Sequence, residues 1–236
     1  MGKRIAIVQS NYIPWKGYFD LINQVDEFIL YDDVQYSRGN WRNRNRIKTL
    51  HGPAWLTIPV KVKGRCRQKI RDTVVHDRKW SDRHWKAICR NYSRARYFEA
   101  TRSVLQDLYE ECGAQTHLSR INFRFLRTIA DMLGIRTSIT WSMDYELVEG
   151  RNERLVHLCR QAGASEYLSG PAAKTYLDEA LFSGEGIRVH WMDYSGYPEY
   201  AQLFCPPFIH EVSIIDLILN EGPQKAGSYM LSFGST

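Results

Sequence analysis

The chain has 236 residues, of which 44% are hydrophobic and 13% aromatic, and its formal net charge is +6. This composition excludes global disorder, and the length allows one large domain or two small ones. The sequence contains no apolar run long enough for a membrane span or a signal peptide, so we expect a soluble, cytoplasmic protein. Its five cysteines are scattered without a CxxC pair, which favours reduced thiols over disulfides or a zinc site.

The first predicted elements are a strand, a helix and a second strand. KRIAIVQ is a short β-branched run, Tyr18, Leu21, Ile22 and Val25 have helical spacing, and EFILYDDVQY begins with another apolar run. This order is typical of a βαβ unit. The polar clusters that follow the two strands would then lie at the carboxyl ends of the sheet, where open α/β sheets bind ligands.

The middle of the chain changes in both pattern and charge. Basic residues alternate at positions 61, 63, 65, 67, 69 and 71, which predicts a basic face on a strand or hairpin. From Ser81 to Leu133 the spacing is helical, with Ser81 and Asp82 as N-cap candidates. Between Arg38 and Arg102 there are 19 basic and four acidic residues, whereas the rest of the chain has a balance of −9. Such asymmetry favours an anionic ligand, although a solvated basic surface also explains it.

The α/β rhythm returns towards the end of the chain. ITWSM, EYLSG and GIRVHWMDY predict strands, GRNERLVHLCRQAGA a helix, and SIIDLILNEGP a final helix that is apolar nearly all round and must be buried. We therefore predict an α/β fold whose central, mostly parallel sheet is built from both chain ends. One domain would span 1–236, with an α/β layer at 1–60 and 134–222 and a basic β-hairpin and helical insertion at about 61–133.

Common catalytic and nucleotide-binding motifs are absent, and the histidines lack metal-ligand spacing, so we predict no metal site. Polar clusters supply the candidates instead. The first, with side chains suited to orienting a ligand in a partly apolar pocket, is Gln9, Asn11, Tyr12 and Trp15. The second, where a carboxylate could act as a base or hold an ammonium group, is Asp32, Asp33, Gln35 and Tyr36. A structural turn and simple charge balance are the respective alternatives.

Two further clusters favour anion binding. Asn43, Arg44 and Arg46 are suited to a phosphate or carboxylate, because a guanidinium binds both in a bidentate manner. Ser169, Gly170 and Lys174 follow a predicted strand at the start of a helix, which presents free amides to an anion or is simply a capped helix. His84 is a candidate general base because histidine titrates near neutral pH, although a lone helical histidine is commonly structural.

The sequence resembles the WbqC-like proteins across nearly its whole length. The matching stretches are IAIVQSNYIPWKGYFDLINQVDEFILYDDVQY, WRNRNRIK, WLTIPV, DRHWKAI, EYLSGPAAKTYLD, YPEYAQ and FIHEVSIIDLILNEG. The resemblance implies a bacterial protein of surface-polysaccharide (O-antigen) or natural-product biosynthesis. It also implies modification of an amino sugar by N-acyl or N-aminoacyl transfer.

The leading hypothesis is a transferase that acts on a nucleotide-linked amino sugar. Asp33 or Asp32 would be the base, Arg44 and Arg46 would bind phosphate, and Ser169 with Lys174 would bind a second anion. The donor would be acyl-coenzyme A or a carrier-bound group, with no other cofactor required. The second hypothesis is a non-catalytic module that binds a nucleotide or phosphorylated carrier, or that docks on a glycosyltransferase, and a homodimer remains open. Binding of RNA or single-stranded DNA through RGNWRNRNRIK is the third, and the negative balance elsewhere argues against it.

Overall fold

The computed structural model describes residues 2–234 and contains a five-stranded parallel sheet with the strand order β5-β2-β1-β6-β7. A separate antiparallel hairpin is formed by β3 and β4. The predicted α/β fold with a sheet from both chain ends is confirmed. The strands are β1 Lys3–Val8, β2 Glu27–Leu30, β3 Arg44–Thr49, β4 Gly52–Thr57, β5 Ser138–Trp141, β6 Ala164–Ser169 and β7 Arg188–Trp191.

Helices lie between the strands and after the last one. They are α1 Lys16–Asn23, α2 Trp80–Tyr92, α3 Phe98–Ala114, α4 Leu118–Met132, α5 Arg151–Gln161, α6 Glu179–Gly184, α7 Ile214–Glu221 and α8 Pro223–Ala226. The predicted N-caps of α2 were wrong: the cap position is Lys79, and Ser81 and Asp82 lie inside the first turn. None of the helices within residues 2–234 is long and apolar enough to cross a membrane.

The strand order contains a topological switch point. The chain leaves β1 through α1 to reach β2 on one side, whereas β6 pairs with β1 on the other side. The helices that precede β2 and β6 cover opposite faces, because residues of α1 belong to one apolar core and residues of α5 to another. Ligands of open α/β sheets bind in the crevice outside such a switch point. A ligand is therefore expected to bind near the loops after β1 and β6.

Between β2 and β5, the hairpin lies earlier in the chain than the predicted insertion at about 61–133. The regular hairpin is formed by β3 and β4, and Thr49 pairs with Gly52 at its tip, where Gly52 has a positive φ of 101°. Residues 61–71 form only isolated bridges, such as Gln35 with Lys69. The alternating basic residues therefore lie in an irregular segment that pairs with the chain after β2. For example, Ile70 N donates to Val34 O at 3.0 Å.

The final predicted helix is confirmed as α7. All of its residues are buried, and it packs internally against α3 and β3. A Ser213 side chain caps its first turn by accepting from Ile215 N at 3.3 Å. Because α7 packs against β3, it fixes the hairpin beside the sheet.

Candidate functional site

The loop after β1 is held in an unusual backbone conformation. Ile13 has a φ of 37°, which a β-branched residue rarely adopts. The buried Asn45 amide of β3 donates to Tyr12 O at 3.1 Å and to Ile13 O at 2.9 Å. Such strain persists where the surrounding contacts impose it, and it commonly marks a functional site. The hairpin therefore fixes the loop that follows the central strand.

A cavity of about 280 Å³ lies between this loop and the hairpin. Its lining combines amides, indoles and one carboxylate: Asn11, Pro14, Trp15, Trp41, Asn45 and Glu211. The Trp15 ring lies so close to Gly17 that a Cβ there would be 2.4 Å from it, so the glycine permits the position of the indole. On its other side, Trp15 packs against Tyr194 with ring centroids 5.3 Å apart. A larger cavity of about 430 Å³ between α5 and α6 receives no residue from the predicted clusters.

Residues 42–44 lie in the chain between the cavity residues Trp41 and Asn45. Each of the three has one buried side-chain polar atom that lacks a hydrogen-bond partner within the described chain. Arg42 is largely buried and donates to the Asn11 side chain, but its Nε has no partner. Arg44 donates to Gly39 O and its Nε is likewise buried and unpaired. Buried donors are normally satisfied, so each unpaired one calls for a water, an ion or a ligand. Two unpaired guanidinium nitrogens are suited to an anion.

Asp32 has partners on both oxygens. Ser10 N donates to it at 2.9 Å and the Ser119 hydroxyl donates to its other oxygen. Burial raises the pKa of Asp32, and these hydrogen bonds oppose the rise. Asn122 extends the network by donating to the Ser10 hydroxyl at 2.9 Å. The carboxylate thus joins the ends of β1 and β2 to the start of α4.

Asp33 is also buried and bonded. Arg71 Nη1 lies 2.6 Å from one of its oxygens, Lys69 Nζ lies 3.4 Å from the same oxygen, and Ser142 donates to the other at 2.9 Å. The two neighbouring carboxylates therefore face different partners, as expected for adjacent residues of an extended chain. These contacts join residues 69–71 and the chain directly after β5 to the end of β2.

His84 lies in the core, with both ring nitrogens engaged. Nε2 lies 3.2 Å from Thr57 O, a pure acceptor, so this nitrogen carries the proton, and Nδ1 accepts from Tyr12 OH at 2.9 Å. Tyr12 OH also contacts Tyr109 OH at 3.0 Å. Burial lowers the pKa of His84 to about 4. The ring is a neutral link between β4 and the β1 loop.

This environment predicts acid sensitivity. His84 titrates near pH 6.5 in the unfolded chain. Because its folded-state pKa is lower, its contribution to stability is complete above pH 6.5 and is lost as the pH falls towards 4. We expect the free energy of unfolding to fall between pH 7 and pH 4.5 by about 2–3 kcal/mol more in the native chain than in His84→Gln. Urea unfolding at both pH values tests this, and equal losses would contradict it.

The fourth predicted cluster lies across the switch point from the β1 loop. Ser169 ends β6, and Met192 N donates to its carbonyl at 2.8 Å. Gly170 precedes a 3₁₀ helix over Pro171–Thr175, and Tyr194 is the side chain nearest to it. Lys174 is exposed, with Nζ 5.5 Å from the centre of the Trp191 ring. Since Tyr194 also packs on Trp15, it connects this cluster to the cavity.

The remaining predicted residues have varied surroundings. Gln9 O accepts from Tyr18 OH at 2.9 Å. Gln35 is exposed and donates to Cys66 O at 2.7 Å, while Tyr36 is buried. Asn43 donates to Ile58 O at 2.8 Å, which ties the two hairpin strands beyond their ladder. Arg46 pairs with Glu211 at 2.9 Å.

Sequence reasoning missed Glu211, which reaches the cavity only when the late loop folds against the hairpin and the β1 loop. Trp55 of β4 lies outside the cavity lining and contacts Trp41, with ring centroids 5.3 Å apart. Trp41 was visible inside the basic segment, but neither Glu211 nor Trp55 has a local motif around it. Among residues 2–234, no group of three or more His, Cys, Asp or Glu side chains is placed to hold a metal ion.

A known protein family matches nearly the whole chain. Residues 9–227 match the WbqC-like protein family, and this range covers the β1 loop, the hairpin, the switch point and α7. The chain belongs to the WbqC-like protein family. This WbqC-like chain is also 52% identical over 222 residues to the uncharacterized protein Rv1507c of Mycobacterium tuberculosis (strain ATCC 25618 / H37Rv). The match covers 94% of this chain and 95% of the relative. No solved structure matches the chain.

Proposed function

We propose that this WbqC-like protein transfers an acyl or aminoacyl group to the amine of a nucleotide-linked amino sugar. The observation that carries the proposal is the cavity lined by the loop after the central strand, together with Arg42, which binds the cavity residue Asn11 and keeps an unpaired Nε. The loop that supplies Asn11, Pro14 and Trp15 begins at the switch point, where ligands of such sheets bind. The family resemblance supplies the sugar-modifying context.

The cavity lining supports a sugar as the ligand. Asn11 and Asn45 present amides that can donate to and accept from hydroxyl groups, while Trp15 and Trp41 provide flat apolar surfaces. An ammonium group also binds favourably over an indole ring. Glu211 adds a carboxylate at the same cavity. These groups together distinguish an amino sugar from a purely apolar ligand.

Arg42 and Arg44 support a phosphate next to the sugar. Both carry a buried Nε without a partner in the described chain, and a phosphate oxygen would satisfy these donors. Ser169, Gly170 and Lys174 lie across the switch point, and we assign the donor's anionic group to them. The nucleotide and the donor would thus approach the cavity from two sides.

The transfer itself requires a proton acceptor. The neutral amine nitrogen attacks the donor's carbonyl carbon, a C–N bond forms and the bond to the thiol or alcohol carrier breaks. The proton that the amine loses passes through a base to the departing thiolate or alkoxide. Asp32 and Asp33 are occupied by structural partners, whereas the Glu211 side chain is 74% exposed at the cavity. We therefore assign proton uptake to Glu211 rather than to Asp33 or Asp32. His84, buried and bonded at both nitrogens, has no part in this step.

Ligand binding and turnover test the proposal separately. We expect uridine-, thymidine- or guanosine-diphosphate amino sugars to raise the thermal midpoint, because a ligand at 100 times its Kd stabilises by about 2.7 kcal/mol. The N-acetylated form of each sugar is the matched control, since it lacks the free amine. Incubation with acyl-coenzyme A or an aminoacyl thioester should then yield an amide detectable by mass spectrometry.

The alternative of a non-catalytic binding module predicts the same stabilisation without product. Stabilisation with no amide from any donor would favour that module. An absence of stabilisation by every nucleotide sugar, at concentrations up to the millimolar range, would contradict both the sugar and the nucleotide assignments.

A further inference from the structure

A second feature of the molecule is a basic surface that exceeds the needs of the proposed reaction. Residues 34–71 include eleven Lys or Arg and no Asp or Glu. Five of these cations bind another side chain. Arg42 binds Asn11, Arg46 pairs with Glu211, and Lys69 and Arg71 pair with Asp33. The fifth, Lys48, is buried and donates to Gln202 Oε1 at 2.8 Å.

The other six cations form no ion pair within residues 2–234: Arg38, Arg44, Lys61, Lys63, Arg65 and Arg67. All but Arg44 are exposed. Unpaired like charges held on one surface repel each other, so their proximity has an energetic cost unless an anion binds.

Backbone contacts make this surface continuous. Arg44 donates to Gly39 O, and the adjacent Arg38 donates to Val62 O at 3.3 Å. Val62 lies between Lys61 and Lys63 in the chain, and Arg65 N donates to Val62 O at 3.2 Å. The hairpin and the 61–67 segment thus form one stripe, which we call the basic stripe.

Exposed aromatic rings lie at the hairpin end of the basic stripe. Trp41 and Trp55 are 39% and 45% exposed, and their ring centroids are 5.3 Å apart. The Arg44 guanidinium lies 4.1 Å from the Trp55 ring centre, and that of Arg46 lies 5.5 Å from it. Solvent-exposed indoles interleaved with guanidinium groups are typical of surfaces on which successive bases stack.

We propose that the basic stripe binds single-stranded nucleic acid, with the phosphates along Arg44, Arg38 and the 61–67 segment and bases stacked on Trp41 and Trp55. Six unpaired cations exceed what one diphosphate can neutralise, which favours a polymer over a mononucleotide. The stripe presents stackable rings as well as charge, which favours bases over a purely anionic partner. This site shares Arg44 and Trp41 with the proposed sugar and phosphate site, whereas its other five cations and Trp55 lie outside the cavity lining, so it does not depend on the transferase assignment.

Fluorescence anisotropy with a labelled 12-nucleotide oligo(U) tests this proposal on the full chain. Binding should weaken with salt with a slope of about −4 in log K against log salt concentration, as expected when six contacts release counterions from a single strand. Lys61→Glu combined with Arg65→Glu should raise Kd at least about tenfold. Trp55→Ala should raise it at least about fivefold, because it removes a stacking surface outside the cavity lining.

The matched control is Arg136→Glu. Arg136 is exposed, forms no ion pair within the described residues and precedes β5, at the amino end of the parallel strands, whereas residues 70–71 are bonded to the chain after the carboxyl end of β2. This variant should bind oligo(U) like the native chain, and every variant should keep the native thermal midpoint.

Binding of heparin or anionic vesicles as tight as oligo(U), or a Trp55→Ala variant with unchanged affinity, would overturn base stacking. Binding of uridine diphosphate that Lys61→Glu with Arg65→Glu weakens as strongly as it weakens oligo(U) binding would overturn the polymer assignment. Sugar transfer in these variants is measured separately, so its loss or retention bears only on the cavity.

Discussion

Replacing Asp216 with alanine is expected to lower the free energy of unfolding by about 3–5 kcal/mol. Asp216 lies in α7, is fully buried, and accepts hydrogen bonds from Tyr92 OH and Tyr200 OH, both at 2.6 Å, and from Gln202 Nε2 at 2.8 Å. Removing the carboxylate leaves three buried donors without their acceptor, and each such group is costly. For a chain of this size the thermal midpoint should fall by roughly 10 °C.

The size of this effect comes from a network that extends beyond one residue. Gln202 Oε1 accepts from the buried Lys48 at 2.8 Å, and Tyr92 OH accepts from Lys48 N at 2.9 Å. The network thus joins α7, α2, the hairpin and the loop around Gln202. Asp82→Ala is the matched control, because Asp82 forms an exposed pair with Lys86 and should contribute no more than about 0.5 kcal/mol. A loss below about 1 kcal/mol for Asp216→Ala would contradict the network.

The sheet was predictable because its strands are short, apolar and β-branched. IAIV of β1 and the apolar start of EFILYDDVQY could hardly belong to anything but buried strands, and the α5 and α7 periodicities were equally clear. The hairpin was misplaced because its first strand, β3, looks polar. Arg44, Asn45 and Arg46 carry few apolar signals, since their stabilising contacts come from the β1 loop and Glu211.

The candidate site was predictable only in part, and the reason is distance along the chain. Strand ends can be read locally, so the clusters after β1 and β2 were expected at the carboxyl ends of the sheet. Burial cannot be read in this way. Asp32 and Asp33 look like free carboxylates in the sequence, but their partners Ser119 and Ser142 come from α4 and from the chain after β5. A spacing pattern holds no information about such contacts.

The second large effect is expected at Glu211, whose carboxylate is exposed at the cavity, whereas that of Asp33 is buried. Glu211→Gln should lower the rate of amide formation at least about 100-fold, because a positioned base contributes that much to proton transfer. Its thermal midpoint should barely change, since the pair with Arg46 is exposed and contributes no more than about 1 kcal/mol. Asp33→Asn should do the reverse and lower stability by about 1–3 kcal/mol, because it leaves the half-buried Arg71 and Lys69 without their buried partner.

Rates and midpoints measured on the same preparations separate the two roles. Glu199→Gln is the control for Glu211, because Glu199 is an exposed carboxylate that does not line the cavity. It should retain both rate and stability. If Asp33→Asn abolishes transfer at an unchanged midpoint while Glu211→Gln remains active, the base is Asp33 and its ion pairs must open during the reaction. If both variants remain active, the proton leaves to solvent and the site accelerates transfer by positioning alone.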